Sequence, residues 1–395
     1  MSKVFVTGIG ALSAIGNNIQ EQLESLRNSK TGIGKSRFFK SRYADIFPFG
    51  EIKLSNQDLK QKISTSKDSS FTRSDLVAFV AFSEAIKDAK IEDLVSNKRT
   101  ALISSSTVGG MCETDQLYND ANMKSKASPF IESYSGGAHV LKLAEKYQIK
   151  GFTNTINTAC SSSANAIMMG TKMIKAGIID RAIVGGADTL AKFTVNGFNA
   201  LQILSEKPCK PFDENRTGLT LGEAGAFLVL EKEADCKDKK KYAEIAGYGN
   251  TNDAFHASSL SEDAKGISLS IQNALDTANI KKVDYVNTHG TATGNNDQTE
   301  LVGLDKIFGE IPPYNSTKSY TGHTLAAAGA LEAIFSILAI NNSELYQSLN
   351  VETPISPFNK MPITSYQKGV EINTVLSNSF GFAGNCTSLI LKKCI

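Results

Sequence analysis

The sequence has almost no excess of charge of either sign: 42 Lys and Arg stand against 40 Asp and Glu, a formal +2. That balance supplies no broad basic field, so neither nucleic acid nor an anionic membrane surface is expected as a partner. Six cysteines (Cys112, Cys160, Cys209, Cys236, Cys386 and Cys394) are scattered with no C-x-x-C pair. This excludes a zinc ribbon or a dense disulfide framework and predicts reduced thiols in a cytoplasmic protein. Long hydrophobic runs are also missing. The most apolar stretch, Leu331 to Ile340, is interrupted by Ser336 and reaches about half of the ~20 residues a spanning helix needs, so no membrane insertion is predicted. At the N-terminus, Lys3-Val-Phe-Val-Thr-Gly8 carries one cation and an apolar run soon broken by Thr and Gly. It reads as a first buried strand and not as a signal peptide.

What is there is alternation. Strand-like runs at Val4–Thr7, Ala101–Ser104, Thr153–Asn157 and Ala182–Val184 are separated by helical patterns at Leu76–Ala89, Ala138–Lys146 and Ala164–Ala176. This predicts an α/β chain with largely buried strands. A lysine-rich run, Lys237 to Lys241, reads as a solvated turn. A second set of elements then opens at Ala243–Ala246 and closes with Thr374–Ser377 and Leu389–Leu391, which divides the chain into halves 1–242 and 243–395. The two openings, Phe5-Val-Thr-Gly-Ile-Gly10 and Glu244-Ile-Ala-Gly-Tyr-Gly249, resemble each other faintly, as a duplication would. Gly8-Ile-Gly10 is an incomplete dinucleotide fingerprint, because Ser13 stands where the third small residue belongs.

Three segments carry chemistry. In Asn154-Thr-Ile-Asn-Thr-Ala-Cys160-Ser-Ser-Ser a strand runs through a tight turn into a helix, placing Cys160 at a helix N-terminus. Unpaired N–H groups and the dipole there favour thiolate, so a lowered pKa and a nucleophilic sulfur are expected. The other segments, Asp284-Tyr-Val-Asn-Thr-His289-Gly-Thr-Ala-Thr293 and Lys318-Ser-Tyr-Thr-Gly-His323, put two of the four histidines at strand-to-loop mouths among Gly and Thr. His139 reads as a satisfied core histidine. A serine hydrolase is excluded because the turn carries Cys and lacks G-x-S-x-G.

These motifs, with Ser377-Asn-Ser-Phe-Gly-Phe382-Ala-Gly, Lys210-Pro-Phe-Asp213-Glu-Asn-Arg216 and Gly222-Glu-Ala-Gly225, resemble the β-ketoacyl-acyl carrier protein synthases of the I and II type over nearly the whole chain. The resemblance implies a thiolase fold: a duplicated five-layer α-β-α-β-α architecture with pseudo-twofold symmetry. It implies that Cys160 takes an acyl group from a carrier thioester, while His289 and His323 donate hydrogen bonds to the extender carbonyl. Backbone N–H groups of Cys160 and Phe382 would hold the tetrahedral oxyanion. Lys318 is assigned to the His323 side of the site, with Glu332 ordering the same neighbourhood. Thr291 and Thr293 would contact the pantetheine arm, Phe382 would gate the acyl chain, and Val108 would close the far end of its pocket. His256 falls near the pocket entrance. No metal or organic cofactor is implied, and the partners are an acyl carrier protein and either a second copy or a chain-length subunit.

The chain departs from the family pattern at Ala383, where glycine usually follows the gating phenylalanine, and at Gly294, where proline is common. Asn385-Cys386 stands in place of Thr-Asn. A Cβ at residue 383 is expected to stiffen the gate. A degradative thiolase, with Cys386 as second cysteine, and a noncatalytic chain-length subunit are the alternatives. The His289 and Lys318 motifs argue against the first, and Cys160 against the second.

Overall fold

The computed structural model describes residues 3–64, 70–236 and 238–394; of the lysine run, Lys237 lies outside the described residues. The first half contributes strands β1 (Val4–Ser13), β2 (Thr100–Ser105), β3 (Thr153–Ile156), β4 (Arg181–Asp188) and β5 (Ala224–Lys232). Its helices are α1 (Ile19–Arg27), α2 (Asn56–Lys62), α3 (Arg73–Asp88), α4 (Thr114–Met123), α5 (Ala138–Lys146), α6 (Ser162–Lys175) and α7 (Lys192–Ala200). The second half adds β6 (Ala243–Asn252), β7 (Tyr285–Asn287), β8 (Tyr314–Asn315), β9 (Glu344–Leu345), β10 (Gln367–Lys368), β11 (Thr374–Phe380) and β12 (Asn385–Lys392). Helices α8 (Lys265–Ala278), α9 (Gly294–Phe308), α10 (Lys318–Thr321) and α11 (Ala328–Asn342) complete it. Strand β5 was not among the runs anticipated from the sequence.

Ten strands form one sheet in the order β3-β2-β4-β5-β1-β6-β12-β11-β7-β8. Outward from the central pair, both sides repeat one pattern. β1-β5-β4 and β6-β12-β11 are antiparallel, and β4-β2-β3 and β11-β7-β8 are parallel. The two similar openings are the central strands themselves, with Phe5 opposite Glu244 and Val6 opposite Ala243. Their glycines serve one purpose. A Cβ on Gly8 or Gly10 would lie 2.5 or 2.2 Å from carbonyl oxygens of α3, and on Gly247 or Gly249 2.2 or 2.1 Å from those of α8. Glycine at these places lets each helix lie directly on its strand.

Alternate residues of the strands feed different cores, which is why the strands are apolar on both faces. Ala182, Val184, Leu228, Leu230, Leu389 and Leu391 point inward to a core shared with α6 and α11. Ile183, Phe227 and Val229 point outward to α3 and α5, and Leu376 and Ile390 outward to α8 and α9. The result is five layers: outer helices, half-sheet, α6 with α11, half-sheet, outer helices. Leu325–Asn342, containing α11, is apolar and long enough by composition to cross a bilayer, but 89% of it is buried inside the molecule. It is the central core helix, and Ser336 turns its hydroxyl back to the Glu332 carbonyl at 2.8 Å.

Candidate active site

The chain leaves β3 at Ile156, makes the turn 157–161 and enters α6 with Ser161 at the N-cap. Ala159 sits at φ +54, a left-handed conformation that costs about 1–2 kcal/mol for a residue with a Cβ. Cys160 follows, one residue before the N-cap, with 6% of its surface exposed. The expectation of a lowered thiol pKa is not met. Burial pushes the Cys160 thiol up to about 11, against the opposing pull of the Lys318 charge and of the Phe382 and Cys160 backbone N–H groups. Loss of water outweighs the helix terminus because the sulfur is almost entirely enclosed.

His289 follows β7 on a loop held by two acids of α9. Glu300 accepts from the His289 and Gly290 N–H groups at 2.9 Å each. Asp297 accepts from Thr291 N–H at 2.8 Å and Ala292 N–H at 3.1 Å. Burial raises both carboxyls, Glu300 to about 7. Neither residue was singled out from the sequence. The available signal was their i, i+3 spacing at the start of a helix directly after the histidine loop, where side-chain oxygens can turn back onto free N–H groups.

His323 lies past α10 and Gly322, whose φ of +71 reverses the chain. Its Nδ1 accepts from Leu325 N–H at 3.0 Å, which leaves the proton of the neutral ring on Nε2. His289 is set the same way by Lys318, whose Nζ lies 3.3 Å from His289 Nδ1 and 2.5 Å from its carbonyl oxygen. Lys318 also pairs with Glu332, and burial raises that carboxyl to about 7. The assignment of Lys318 to the His323 side is therefore corrected: the ammonium serves His289. Four residues separate Lys318 from His323 in sequence, but α10 and Gly322 turn the two away from each other. Both imidazoles are held well below their ordinary pKa, by burial first and by the Lys318 charge second. They are neutral Nε2–H donors.

Cys160, His289 and His323 converge, with one ligating atom from each within 4.8 Å of the others. The rings of His289 and His323 stand 5.4 Å apart at 85°. All three line a cavity of about 250 Å³ together with Thr291, Thr293 and Phe382. The two threonine hydroxyls are 2.9 Å apart. A second, apolar cavity of about 260 Å³ lies beyond, lined by Met111, Phe193, Gly197 and Leu325. Cys160, Phe198, Leu201 and Phe382 border both. The Phe198 and Phe382 rings stack at 5.6 Å and 17° and form the partition.

Val108 does not line either cavity. It is buried in one apolar cluster with Leu325 and Met111, both of which line the second cavity. Its N–H donates to Asp188 at 2.9 Å, and the same carboxylate accepts from Thr107 and Ala326 N–H groups. Asp188 thus ties the pocket floor to the approach of α11, a function with no signal in sequence. His139 is the core histidine expected, buried with Nε2 2.7 Å from Ser104 Oγ. His256 is exposed and outside the cavity lining, while its neighbours Ser258 and Ser259 border it. Cys386 is buried in the outer core of the second half, apart from the Cys160 cluster. Ala383 holds φ +62, a left-handed conformation that is strained for a residue with a Cβ. Gly294 begins α9, and its carbonyl accepts from Arg216 at 2.8 Å.

Fold and site together define a thiolase-fold condensing acyltransferase. Residues 1–236 match the beta-ketoacyl synthase N-terminal domain, and residues 242–352 the beta-ketoacyl synthase C-terminal domain. The chain is 33% identical to the 3-oxoacyl-(acyl-carrier-protein) synthase 2 of Staphylococcus aureus (strain COL) over 414 aligned residues, covering 99% of this chain and 98% of the relative. Among solved structures, the ishigamide ketosynthase/chain length factor superposes with a TM-score of 0.93 at 26% identity over all of both chains. The ketosynthase ApeO in complex with its chain length factor ApeC from Xenorhabdus doucetiae gives 0.84 at 31% identity, covering 100% of this chain and 98% of that one. The chain belongs to the β-ketoacyl synthase family, the condensing acyltransferases of fatty acid and polyketide biosynthesis.

Proposed function

We propose that this chain condenses a malonyl thioester, delivered by an acyl carrier protein, with an acyl group carried on Cys160. In the first step the Cys160 sulfur attacks the carrier thioester, the new C–S bond replaces the old one, and the proton released by Cys160 goes to the departing pantetheine sulfur. Net proton uptake is zero, and moving the proton off a sulfur raised to about 11 is part of the barrier to this step. The malonyl thioester then enters past Thr291 and Thr293, and its carbonyl oxygen meets the Nε2–H groups of His289 and His323. Breaking the bond to the carboxylate releases CO2 and leaves an enolate, whose oxygen the two preoriented donors stabilise. The enolate carbon attacks the Cys160 thioester, a C–C bond forms, and the electron pair returns to Cys160 sulfur, which takes up a proton. Lys318 is a positioning residue for His289 and Glu332 its counter-ion. Phe382 moves to open the apolar cavity.

The observation that carries this reading is the convergence of one sulfur and two Nε2–H donors on a single cavity. For the partner we propose dimerisation, with a second copy or a chain-length subunit, through the free edge of β3. That strand ends the sheet, and Leu141 and Phe152 beside it are 68% and 41% exposed, a surface that pairing would cover. The boundary near residue 242 is proposed as the joint of the duplicated halves, and the unpaired cysteines fit a reducing cytoplasm. Mass spectrometry after incubation with acyl carriers tests the central step. Acylation on Cys160 is expected, and Cys160→Ala abolishes it and condensation together. His289→Ala and His323→Ala each lower malonyl decarboxylation by about 10²-fold or more. A wild-type protein never acylated at residue 160 would refute the reading and favour a noncatalytic subunit.

A further inference from the structure

Asn385 stands at the joint between two loops that chemistry needs in register. Its Oδ1 accepts from Asn165 Nδ2 and Asn250 Nδ2 at 2.9 Å each. The same oxygen lies 2.8 Å from Ser161 Oγ and 3.2 Å from Thr387 Oγ1. Ser161 directly follows the nucleophile. Asn165, one turn further along α6, uses its second N–H on Thr158 Oγ1 at 2.8 Å. One amide oxygen therefore gathers four polar groups, more than its two lone pairs serve in ordinary geometry, and two of the four belong to the nucleophile turn and its helix.

The backbone of the same residue closes the other loop. The Asn385 carbonyl accepts from Gly381 N–H at 2.8 Å, which fixes the turn that presents Phe382. Gly381 lies so close to the nucleophile turn that a Cβ there would be 2.4 Å from the Thr158 carbonyl oxygen. The Phe382 and Cys160 backbone N–H groups both act on the Cys160 sulfur. Asn385 thus grips the Cys160 side with its side chain and the Phe382 side with its backbone. No hydrogen bond joins it to His289, His323, Lys318 or Glu300.

We propose that Asn385 is a positioning residue that sets the spacing of the Cys160 and Phe382 backbone N–H groups, and so the rate of acyl transfer to Cys160, without acting on malonyl decarboxylation. This rests on the reading of those N–H groups as the oxyanion donors. Such donors work only within about 2.7–3.1 Å of the developing charge, and a misplacement of about 1 Å costs on the order of 10²-fold.

The test uses the full chain with two readouts. One is single-turnover acylation of Cys160, followed by mass spectrometry with the straight-chain acyl carrier that reacts fastest with the wild type. The other is CO2 release from a malonyl carrier. Asn385→Leu is expected to slow acylation by about 10²-fold and to leave decarboxylation within about threefold. Asn385→Asp, which keeps an accepting oxygen for the same donors, is expected to regain at least about tenfold of the loss. The proposal is overturned if acylation by Asn385→Leu is unchanged, if both reactions fall by one factor, or if Asn385→Asp is as slow as Asn385→Leu. Should Asn385→Leu lack a cooperative melt, Asn385→Ser carries the test under the same criteria. A wild-type protein that neither acylates nor decarboxylates refutes instead the functional reading beneath it.

Discussion

Alkylation of Cys160 across pH separates two accounts of its reactivity. A sulfur at an open helix N-terminus titrates near or below 7 and reacts at a nearly constant rate above that pH. Here enclosure dominates, and the thiol is pushed from its ordinary 9 up to about 11. At pH 8 such a group is thiolate in about one molecule in 10³, a tenfold change in thiolate per pH unit being the rule well below the pKa. The iodoacetamide rate at Cys160, read by peptide mass spectrometry, is therefore expected to rise about tenfold for each pH unit between 7 and 9.5. The sign of the Lys318 contribution is fixed as well: its charge pulls the thiol pKa down, so Lys318→Met is expected to slow alkylation further at every pH. The orphaned Glu332 works the same way, because its carboxyl, already raised to about 7, loses the Lys318 charge that lowers it and is pushed up further, while any negative charge it keeps disfavours the thiolate. A rate that levels off below pH 9 in the wild type would refute the dominance of burial.

Three other perturbations have definite outcomes. Glu300 is raised from 4.5 to about 7 in the folded protein, so between these values the native state holds a proton that the unfolded chain has lost. Its contribution is present below the unfolded pKa and fades as pH rises toward about 7, by at most about 3 kcal/mol. In denaturant melts at pH 5 and 7.5, Glu300→Gln is expected to lower stability overall while flattening this fall. An unchanged slope would remove Glu300 as its source. Ala383→Gly relieves the left-handed strain at φ +62, worth about 1–2 kcal/mol against about 0.5–1 kcal/mol of added chain entropy, so urea unfolding should show equal or slightly higher stability. Gly197, in the middle of α7, borders the apolar cavity with open space where its Cβ would be. Gly197→Leu should fold, gain helix propensity of about 1 kcal/mol, and shift the acyl-carrier panel toward shorter chains. Retention of the wild-type preference would place the acyl chain elsewhere.

The three side chains that converge on one cavity are each announced locally in the sequence, by a strand end, small or β-branched neighbours, and a turn, at residues 157–161, 288–293 and 322–323. Strand β5 is hidden in the sequence because Gly222-Glu-Ala-Gly225 reads as a family motif and masks the start of the strand Ala224–Lys232. Val108 was assigned to a pocket wall that Met111 and Leu325 make instead, since one-residue differences in what faces a cavity depend on how the loop is tied to Asp188. The thiol pKa went the wrong way for a related reason. A helix terminus can be read along the chain, but the residues that enclose the sulfur, from Phe198 and Leu201 to His323 and Phe382, come from well outside its turn.

Lys318 shows why its partner could not be read along the chain, and why the choice matters chemically. An ammonium beside His323 would compete with the Leu325 N–H for Nδ1; beside His289 it supplies the donor that ring otherwise lacks. Both rings then carry Nε2–H protons without carrying charge. The one negative charge of the reaction moves from the malonyl carboxylate to the enolate oxygen and then to the Cys160 sulfur, and at rest Glu332 occupies the ammonium's remaining attraction. In the proposed mechanism the charge of Lys318 would act on the forming enolate through His289, and on the departing thiolate directly, since it already lowers the Cys160 pKa. On the proposed mechanism, a single buried cation that adds to burial in keeping both imidazoles neutral also draws the travelling anion inward, while its ammonium contacts only His289 of the two.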